Sequence, residues 1–345
     1  MIINTLKKAI AKHDISVIML FLIPLVLLFF ISFLLGRYPI SIYDVVLAIF
    51  SKILGFDSGL SESIETIIFQ IRLPRILGAM LVGAALSIAG ASFQGLFRNP
   101  LVSPDKLGVS SGAGLGAAIG ILSSAGYFFV QIFAFAFGLL AVAISYLLSK
   151  NFKGTSMLTL VLCGIAVQSF FGSMLSLAKY VADPYEQLPS IVFWMMGSLT
   201  HVTNQQVIAV SIPIIIGMTI LILVRWRLNV LSMGEEEAQT LGIDVKKMQG
   251  IIIVCCTLIT ASAVSISGII GWIGLVIPHI VRLTIGPDHK TLLPASAILG
   301  AFFLLLIDNI SRTLTTVEIP LGILTALIGA PFFIYLLRQS KEVWT

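Results

Sequence analysis

Ten apolar runs dominate the sequence and constrain its fold more than any other feature. Each run is 18 to 22 residues long, and a helix needs about 20 apolar residues to cross a bilayer. The runs lack the alternating polarity of a membrane barrel. We therefore predict an all-α polytopic membrane protein with ten transmembrane helices. The predicted spans are 15–36, 76–97, 107–125, 127–148, 157–178, 206–224, 248–266, 268–285, 292–310 and 320–337.

The composition leaves little chain for a soluble domain. Of 345 residues, 58% are hydrophobic and 11% are charged, whereas a soluble domain carries about 25% charged residues. We predict a single transmembrane domain over residues 1–345, with its main cytoplasmic loop at 225–247. The cysteines Cys163, Cys255 and Cys256 lie inside apolar runs without CxxC spacing. They are interpreted as core thiols, and no metal site is predicted.

The basic residues predict the orientation in the membrane. With the N-terminus inside, fifteen Lys and Arg fall on the cytoplasmic side and six outside, which accounts for all 21. This asymmetry favours cytoplasmic termini at both ends. It also explains the net charge of +5, so nucleic acid is not an expected partner. The six outside are Arg37, Lys52, Arg72, Arg75, Lys179 and Arg312.

Charged groups are scarce inside the spans. The spans that begin at residues 76, 107, 127, 157, 206 and 248 contain no Asp, Glu, Lys or Arg, although an ion-driven carrier usually places such groups in the membrane. Asp308 and Arg312 lie one helical turn apart at the outer end of the ninth span, where a local pair is expected. The mid-span residues Gln131, Gln168 and Asn309 either line a path or bridge helices, and the sequence does not choose between these.

No motif for nucleotide chemistry is convincing. Gly112, Gly114 and Ala117 fit a loose dinucleotide fingerprint, but no strand precedes them. Glycines recur every four residues from Gly108 to Gly120, which favours close helix packing. His279 is interpreted as a satisfied packing residue. No phosphate-binding loop or catalytic constellation is present, so an enzyme is not predicted, and ATP would have to be hydrolysed by another chain.

The loop between the sixth and seventh predicted spans contains a short acidic helix signal. Glu235, Glu236 and Glu237 open it, and Gly242 is a helix stop. The pattern predicts a lateral helix, which is either a solvated loop helix or a docking element for a cytoplasmic partner.

Ordered motifs from residue 72 to residue 335 resemble the FecCD-type permeases of ATP-binding-cassette (ABC) importers, which include cobalamin, haem and ferric-siderophore permeases. The motifs are Arg72-Leu73-Pro74-Arg75, the stretches 94–101, 107–114 and 234–242, Gly271 to Arg282, Gly286 to Lys290, Glu318 to Gly322 and Gly329 to Pro331. The resemblance is specific to the family and not to a substrate.

The resemblance implies a cobalamin-permease-like bundle of ten spans in a prokaryotic plasma membrane. It implies pairing with a second permease copy, two ATPase subunits that bind ATP and Mg, and an extracytoplasmic substrate-binding protein. No cofactor is expected in this chain. The residues that the resemblance assigns to ATPase coupling are Gly234, Glu235, Glu236, Glu237, Ala238, Leu241 and Gly242. Those it assigns to docking of the binding protein are Arg72, Arg75 and Arg312. The alternative interpretation of these arginines is that they snorkel to the membrane interface.

The substrate implied first is an iron chelate, with ferric siderophore ahead of haem, cobalamin and molybdate or tungstate. By the same analogy, the path would follow the fifth span, the short outer helix near 188–199 and the glycine-rich third span. An ion-coupled secondary transporter and a non-transporting membrane scaffold or receptor are the competing hypotheses from other classes.

Overall fold

The computed structural model describes residues 14–150 and 157–339. These residues form fourteen helices and no strand, as the apolar runs predict. The helices are α1 (Asp14–Leu34), α2 (Ile42–Leu54), α3 (Glu62–Leu96), α4 (Val109–Leu122), α5 (Tyr127–Lys150), α6 (Met157–Val181), α7 (Gln187–Met196), α8 (Asn204–Leu223), α9 (Arg225–Met233), α10 (Glu235–Thr240), α11 (Val245–Ser267), α12 (Ile273–Ile285), α13 (His289–Thr313) and α14 (Leu321–Gln339).

The ten predicted spans correspond to α1, α3, α4, α5, α6, α8, α11, α12, α13 and α14. Six of these are long and apolar enough to cross a membrane by length and composition, namely α3, α5, α6, α8, α11 and α13. The remaining four are shorter apolar helices over their described side chains. We use "outer end" for the end that holds the 35–61 segment, and "cytoplasmic end" for the opposite end, following the predicted orientation.

The eighth predicted span is helical over only part of its length. Helix α12 has 13 residues and is about 20 Å long, because residues 268–272 are irregular. Gly268 and Trp272 both have positive φ, at 67° and 71°, and a Cβ at Gly268 would collide with the carbonyl of Trp194. The prediction of a full-length helix over 268–285 is therefore wrong. Irregular backbone at residues 268–272, within a predicted membrane span, is tolerated because other parts of the protein surround it.

Helix α3 is the centre of the bundle, and glycines let its neighbours approach closely. Gly83 meets Gly300 of α13, and Gly90 meets Gly274 of α12. At each of these crossings a Cβ on the α3 glycine would collide with the opposing backbone carbonyl. Lipid supplies no hydrophobic drive between helices, so this contact of small residues holds the centre together.

The glycines of α4 serve packing, as predicted. Cβ atoms at Gly112 and Gly116 would collide with the carbonyls of Phe137 and Phe133 on α5. The glycine face of the third predicted span is therefore filled by the fourth. Two other parts of α4 reach open space, at Ser111 beside a depression on α6 and at Gly120 beside a second cavity, so the expected path along this helix stays a prediction.

Individual buried residues bear out some expectations and correct others. Cys255 and Cys256 are buried, whereas Cys163 is partly exposed, and all three are free thiols. His279 is buried and packs on the ring of Phe333. Neither of its ring nitrogens has a hydrogen-bond partner among the described residues, so it is a packing residue but not a satisfied one.

Candidate functional site

The lateral helix at the cytoplasmic end begins and ends where the acidic pattern predicts. Helix α9 leads into it with Leu228 and Leu231 buried, and the chain passes through Gly234 in an extended conformation. Helix α10 then runs from Glu235 to Thr240. Gly242 follows in the left-handed region, with φ of 76°, which a residue with a Cβ adopts only under strain.

One side of α10 is anchored and the other is free. Ala238 is fully buried, and Glu235 accepts a 3.0 Å hydrogen bond from the amide of Gln249 on α11. Glu236 and Glu237 are exposed, and 59% of Leu241 is exposed. The segment therefore presents an apolar side chain beside acidic groups, as a docking surface would. Its role in ATPase coupling stays a prediction.

Arg75 lies at the outer end in a buried charge cluster. Its Nε donates to both carboxylate oxygens of Asp308, at 3.0 and 3.1 Å. Its two terminal nitrogens donate to the two oxygens of Glu318, at 3.0 and 2.8 Å. Asp308 is fully buried, and charge-assisted pairs of this kind offset the cost of burying ions.

Arg72 and Arg312 complete this cluster through backbone and amide acceptors. Arg72 donates to the carbonyls of Phe33 and Tyr38. Arg312 donates to the carbonyl of Ser32 at 2.7 Å and to the side chain of Asn309. Arg72 is buried at the end of a π-helical turn, Ile67–Arg72, within α3.

The three arginines do not form an exposed outer face. Arg72, Arg75 and Arg312 are only 4%, 7% and 6% exposed, so the interpretation as snorkelling side chains is wrong. The reason is that the described bundle supplies internal acceptors for all of them. Their docking role stays a prediction, which now requires that a partner displace an internal acceptor.

The expected local pair of Asp308 and Arg312 exists, at 3.8 Å, but it is secondary to the pair with Arg75. Sequence analysis missed both long-range partners of Arg75. The signal was available, because Asp308 is a carboxylate within an apolar run and such groups require a buried partner.

Glu318 is the accessible member of the cluster. Its side chain is 26% exposed, and it also accepts a 3.0 Å hydrogen bond from Thr200. Burial raises the pKa of Glu318, but the hydrogen bonds and charge of Arg75 outweigh this and lower it below its ordinary value.

A cavity of about 690 Å³ opens beside Glu318 at the outer end. Aromatic and hydroxyl side chains dominate its wall, and the described lining includes no Lys or Arg. Tyr127 and His201 face each other there, with ring centroids 6.1 Å apart. The other polar and aromatic wall residues are Ser124, Ser190, Phe193, Trp194, Ser198, Thr200 and Ser267.

The polar mid-span residues divide between two roles. Asn309 bridges helices, because its amide donates to Ser32 of α1 at 2.7 Å. Gln168 instead lines an open depression on α6, together with Ser169 and Gly172. The choice that the sequence left open is thus resolved for Asn309, which bridges helices, whereas a path-lining role of Gln168 stays a prediction.

Comparison with known proteins identifies the family. The profile of the FecCD transport family matches residues 24–339. The chain belongs to the FecCD transport family. It is a permease of ABC-importer type and a polytopic membrane protein, and the ten described helices that correspond to the predicted spans agree with this assignment.

Its relatives differ in the substrates for which they are named. The molybdate import permease MolB of Haemophilus influenzae is 40% identical over 90% of this chain and 92% of its own length. A cobalamin import permease of Halobacterium salinarum is 43% identical over 82% of this chain and 76% of its own. An iron chelatin permease of Helicobacter pylori is 41% identical over 82% and 85%, respectively.

A solved structure shares the fold closely. It is described as a metal-chelate type ABC transporter in an inward-facing conformation. The match has a TM-score of 0.85 at 37% identity and covers 94% of this chain and 99% of the other.

Proposed function

We propose that this chain is the permease of a binding-protein-dependent ABC importer for an iron chelate, with ferric siderophore as the first candidate. Relatives named for iron chelatin, hemin and ferric citrate support an iron chelate. The outer cavity supports it too, since its aromatic and hydroxyl wall suits a large chelate. An oxyanion such as molybdate would favour cationic donors, and the described lining has no Lys or Arg.

The observation that carries the importer proposal is the lateral helix α10. Its anchored residues Ala238 and Glu235 fix its position, and Leu241 is left free to enter a partner's groove. ATP would be bound and hydrolysed by two partner ATPases. Their closure would displace α10 and so alternate access to the path.

The outer cluster supports a docking site for a substrate-binding protein. Arg75 is held by Asp308 and Glu318, and only Glu318 is partly exposed. A carboxylate on the binding protein could replace Glu318 on Arg75 with little change in buried charge. Arg72 and Arg312 would support the site by holding the neighbouring backbone.

A second copy of the chain is the proposed partner within the membrane. Helix α6 exposes Ser169, Ser173 and Ser176 along one face, and each hydroxyl donates to the carbonyl four residues earlier. The same face includes the depression at Gln168. A weakly polar face on an apolar helix suits a path on a dimer axis better than a lipid contact.

The ion-coupled alternative finds little support. Asp308 is the fully buried carboxylate among the described spans, and Arg75 satisfies both of its oxygens. It is not free to take up a coupling ion.

Copurification of the ATPase tests the importer proposal. We would isolate the chain from its native membrane in mild detergent and quantify the ATPase in the wild type, Leu241→Asp and Val317→Asp. Leu241→Asp should lose the ATPase, because a carboxylate would be buried unpaired in the groove. Val317→Asp is the matched control, since Val317 is 78% exposed at the opposite end.

The outcomes separate clearly. Loss of the ATPase in Leu241→Asp alone supports the proposal. If the wild type carries no ATPase, or if both variants keep it fully, α10 is not the docking element. Uptake of labelled ferric siderophore, haem, cobalamin and molybdate by vesicles then identifies the substrate, and uptake of molybdate alone would overturn the iron assignment.

A further inference from the structure

Helices α3 and α13 are fastened to each other at three levels along the bundle. At the outer end, Arg75 of α3 pairs with Asp308 of α13, with 2.9 Å between Nη2 and Oδ1. In the middle, Gly83 and Gly300 are in such close contact that neither position has room for a Cβ. Close-packed backbones of this kind transmit displacement because they do not compress.

The cytoplasmic level is the contact between Gly95 and His289. A Cβ at Gly95 would collide with Nε2 of His289, and His289 is only 4% exposed. The first residue of α13 is thus seated against the last turn of α3. Together the three levels make the two helices one mechanical pair.

Asn229 of α9 attaches this pair to the lateral segment, which we define as helices α9 and α10 (residues 225–240). Its Oδ1 accepts a hydrogen bond from the backbone N–H of His289 at 2.8 Å. Nδ1 of the His289 ring lies 2.7 Å from the same oxygen. Its Nδ2 donates to Asp288, the residue that caps α13 by accepting from the N–H of Lys290 at 2.9 Å. The amide therefore uses both its acceptor and its donor on the start of α13.

The other end of the pair reaches the rim of the cavity. Glu318 accepts hydrogen bonds from Arg75 and from Thr200. Both Glu318 and Thr200 line the cavity wall. The backbone reinforces this junction, because the N–H of Leu321 donates to the carbonyl of Gly197 at 2.9 Å. A shift of α3 and α13 would move the rim directly.

We propose that α3 and α13 move as one body that carries displacement of the lateral segment to the outer cavity, and that Asn229 is the positioning residue that attaches them. This inference rests on the proposed importer function and adds a route for the motion. The competing route enters through α11, to which α10 is joined by Glu235 and Gln249. Motion by that route would not need Asn229.

Thiol accessibility at the cavity tests the route. Ser190 is exposed on the cavity wall, and among the described residues its hydroxyl donates only to the carbonyl of Glu186, four residues earlier. We would place Ser190→Cys in a chain with Cys163, Cys255 and Cys256 changed to Ala, and purify it in nanodiscs with its ATPase. The rate of reaction with a charged maleimide is then measured with and without a non-hydrolysed ATP analogue.

The variants are Asn229→Ala and, as the matched control, Ser232→Ala. Ser232 lies on the same helix and its hydroxyl donates only to the carbonyl of Asn229. We expect ATP to change the labelling rate in the parent and in Ser232→Ala. In Asn229→Ala the ratio of the two rates should fall to one, while ATPase binding stays at the parental value.

Two results would overturn the inference: an unchanged rate ratio in Asn229→Ala, or no effect of ATP on labelling in a parent that binds and hydrolyses ATP. A parent without any ATPase would instead refute the proposed function. If Asn229→Ala does not fold, Asn229→Leu replaces it, since leucine fills a similar volume but neither accepts from His289 nor donates to Asp288. A full response in that variant would equally refute the role of Asn229.

Discussion

Removal of the Arg75 guanidinium is the sharpest test of the outer charge cluster. Arg75→Met keeps much of the side chain's apolar length but leaves Asp308 fully buried without its main partner. Nε of Arg312 lies 3.8 Å from Oδ2 of Asp308, beyond hydrogen-bonding distance. Arg312 therefore offsets the charge of Asp308 only in part.

The expected loss follows from the burial of Asp308. Removing one partner of a buried pair costs about 3–5 kcal/mol, which is roughly a hundredfold to a few thousandfold in the unfolding equilibrium. Glu318 adds little to this figure because its side chain is 26% exposed and water can solvate it. We therefore expect Arg75→Met to lower the free energy of unfolding by about 3–4 kcal/mol.

Reversible unfolding in mixed micelles of mild detergent and dodecyl sulfate, followed by tryptophan fluorescence, measures this loss. Arg37→Met is the matched control. Arg37 is exposed at the same end and donates to the backbone carbonyl of Thr316, so its loss should change the free energy by less than about 0.5 kcal/mol. The double variant Arg75→Met with Asp308→Leu should recover part of the stability, because the buried carboxylate is removed together with its partner. Arg312 loses its 3.8 Å pair with Asp308 but keeps its acceptors at Ser32 and Asn309.

An Arg75→Met variant as stable as Arg37→Met would refute the reasoning. It would mean that Arg75 is not committed to internal carboxylates and is free to meet a partner without a competing acceptor. Failure of the double variant to recover stability would show that packing, and not charge, is responsible for the loss.

Two further predictions concern the helix crossing and the exposed carboxylate. Gly300→Ala should destabilise the protein by about 1–3 kcal/mol, because its Cβ would collide with Gly83. The control Gly250→Ala, where the nearest atom is the hydroxyl of Tyr146 at 3.7 Å, should be neutral or stabilising by up to about 1 kcal/mol. Equal unfolding curves of the two variants in mixed micelles would contradict the close contact of Gly83 and Gly300. The lowered pKa of Glu318 means that its pairing with Arg75 stabilises the protein above the ordinary value of 4.5 and is lost as the pH falls through the folded-state pKa. The difference in melting temperature between the wild type and Glu318→Gln should therefore be largest near pH 7 and shrink below pH 4.5; a difference independent of pH would contradict this pairing.

Local signals in the sequence were sufficient for most of the helices. The long apolar runs predicted the spans because a bilayer imposes a minimum length on any crossing helix. The acidic start at Glu235 and the stop at Gly242 predicted α10, since both act within a single turn of backbone. The failure at 268–285 is equally physical, because an apolar run does not reveal that Gly268 and Trp272 leave the helix against Trp194.

The charged residues were the least predictable part of the site. Arg72, Arg75 and Arg312 were placed at the outer end by counting charges, and their position at the predicted membrane boundary gave no sign of burial. Whether an arginine faces water or a carboxylate depends on residues more than 200 positions away, such as Asp308 and Glu318 for Arg75. No local pattern encodes such a partner.

The amino-acid sequence alone indicates an all-α membrane bundle, its family and a lateral helix at the cytoplasmic end, because hydrophobicity, turn chemistry and ordered motifs are properties of neighbouring residues. Helix packing establishes which glycines meet, that Asn229 is hydrogen-bonded to His289, and that Arg75 is paired with Asp308 and Glu318. These are contacts between distant segments, and they exist only once the helices have packed and excluded solvent from the groups between them.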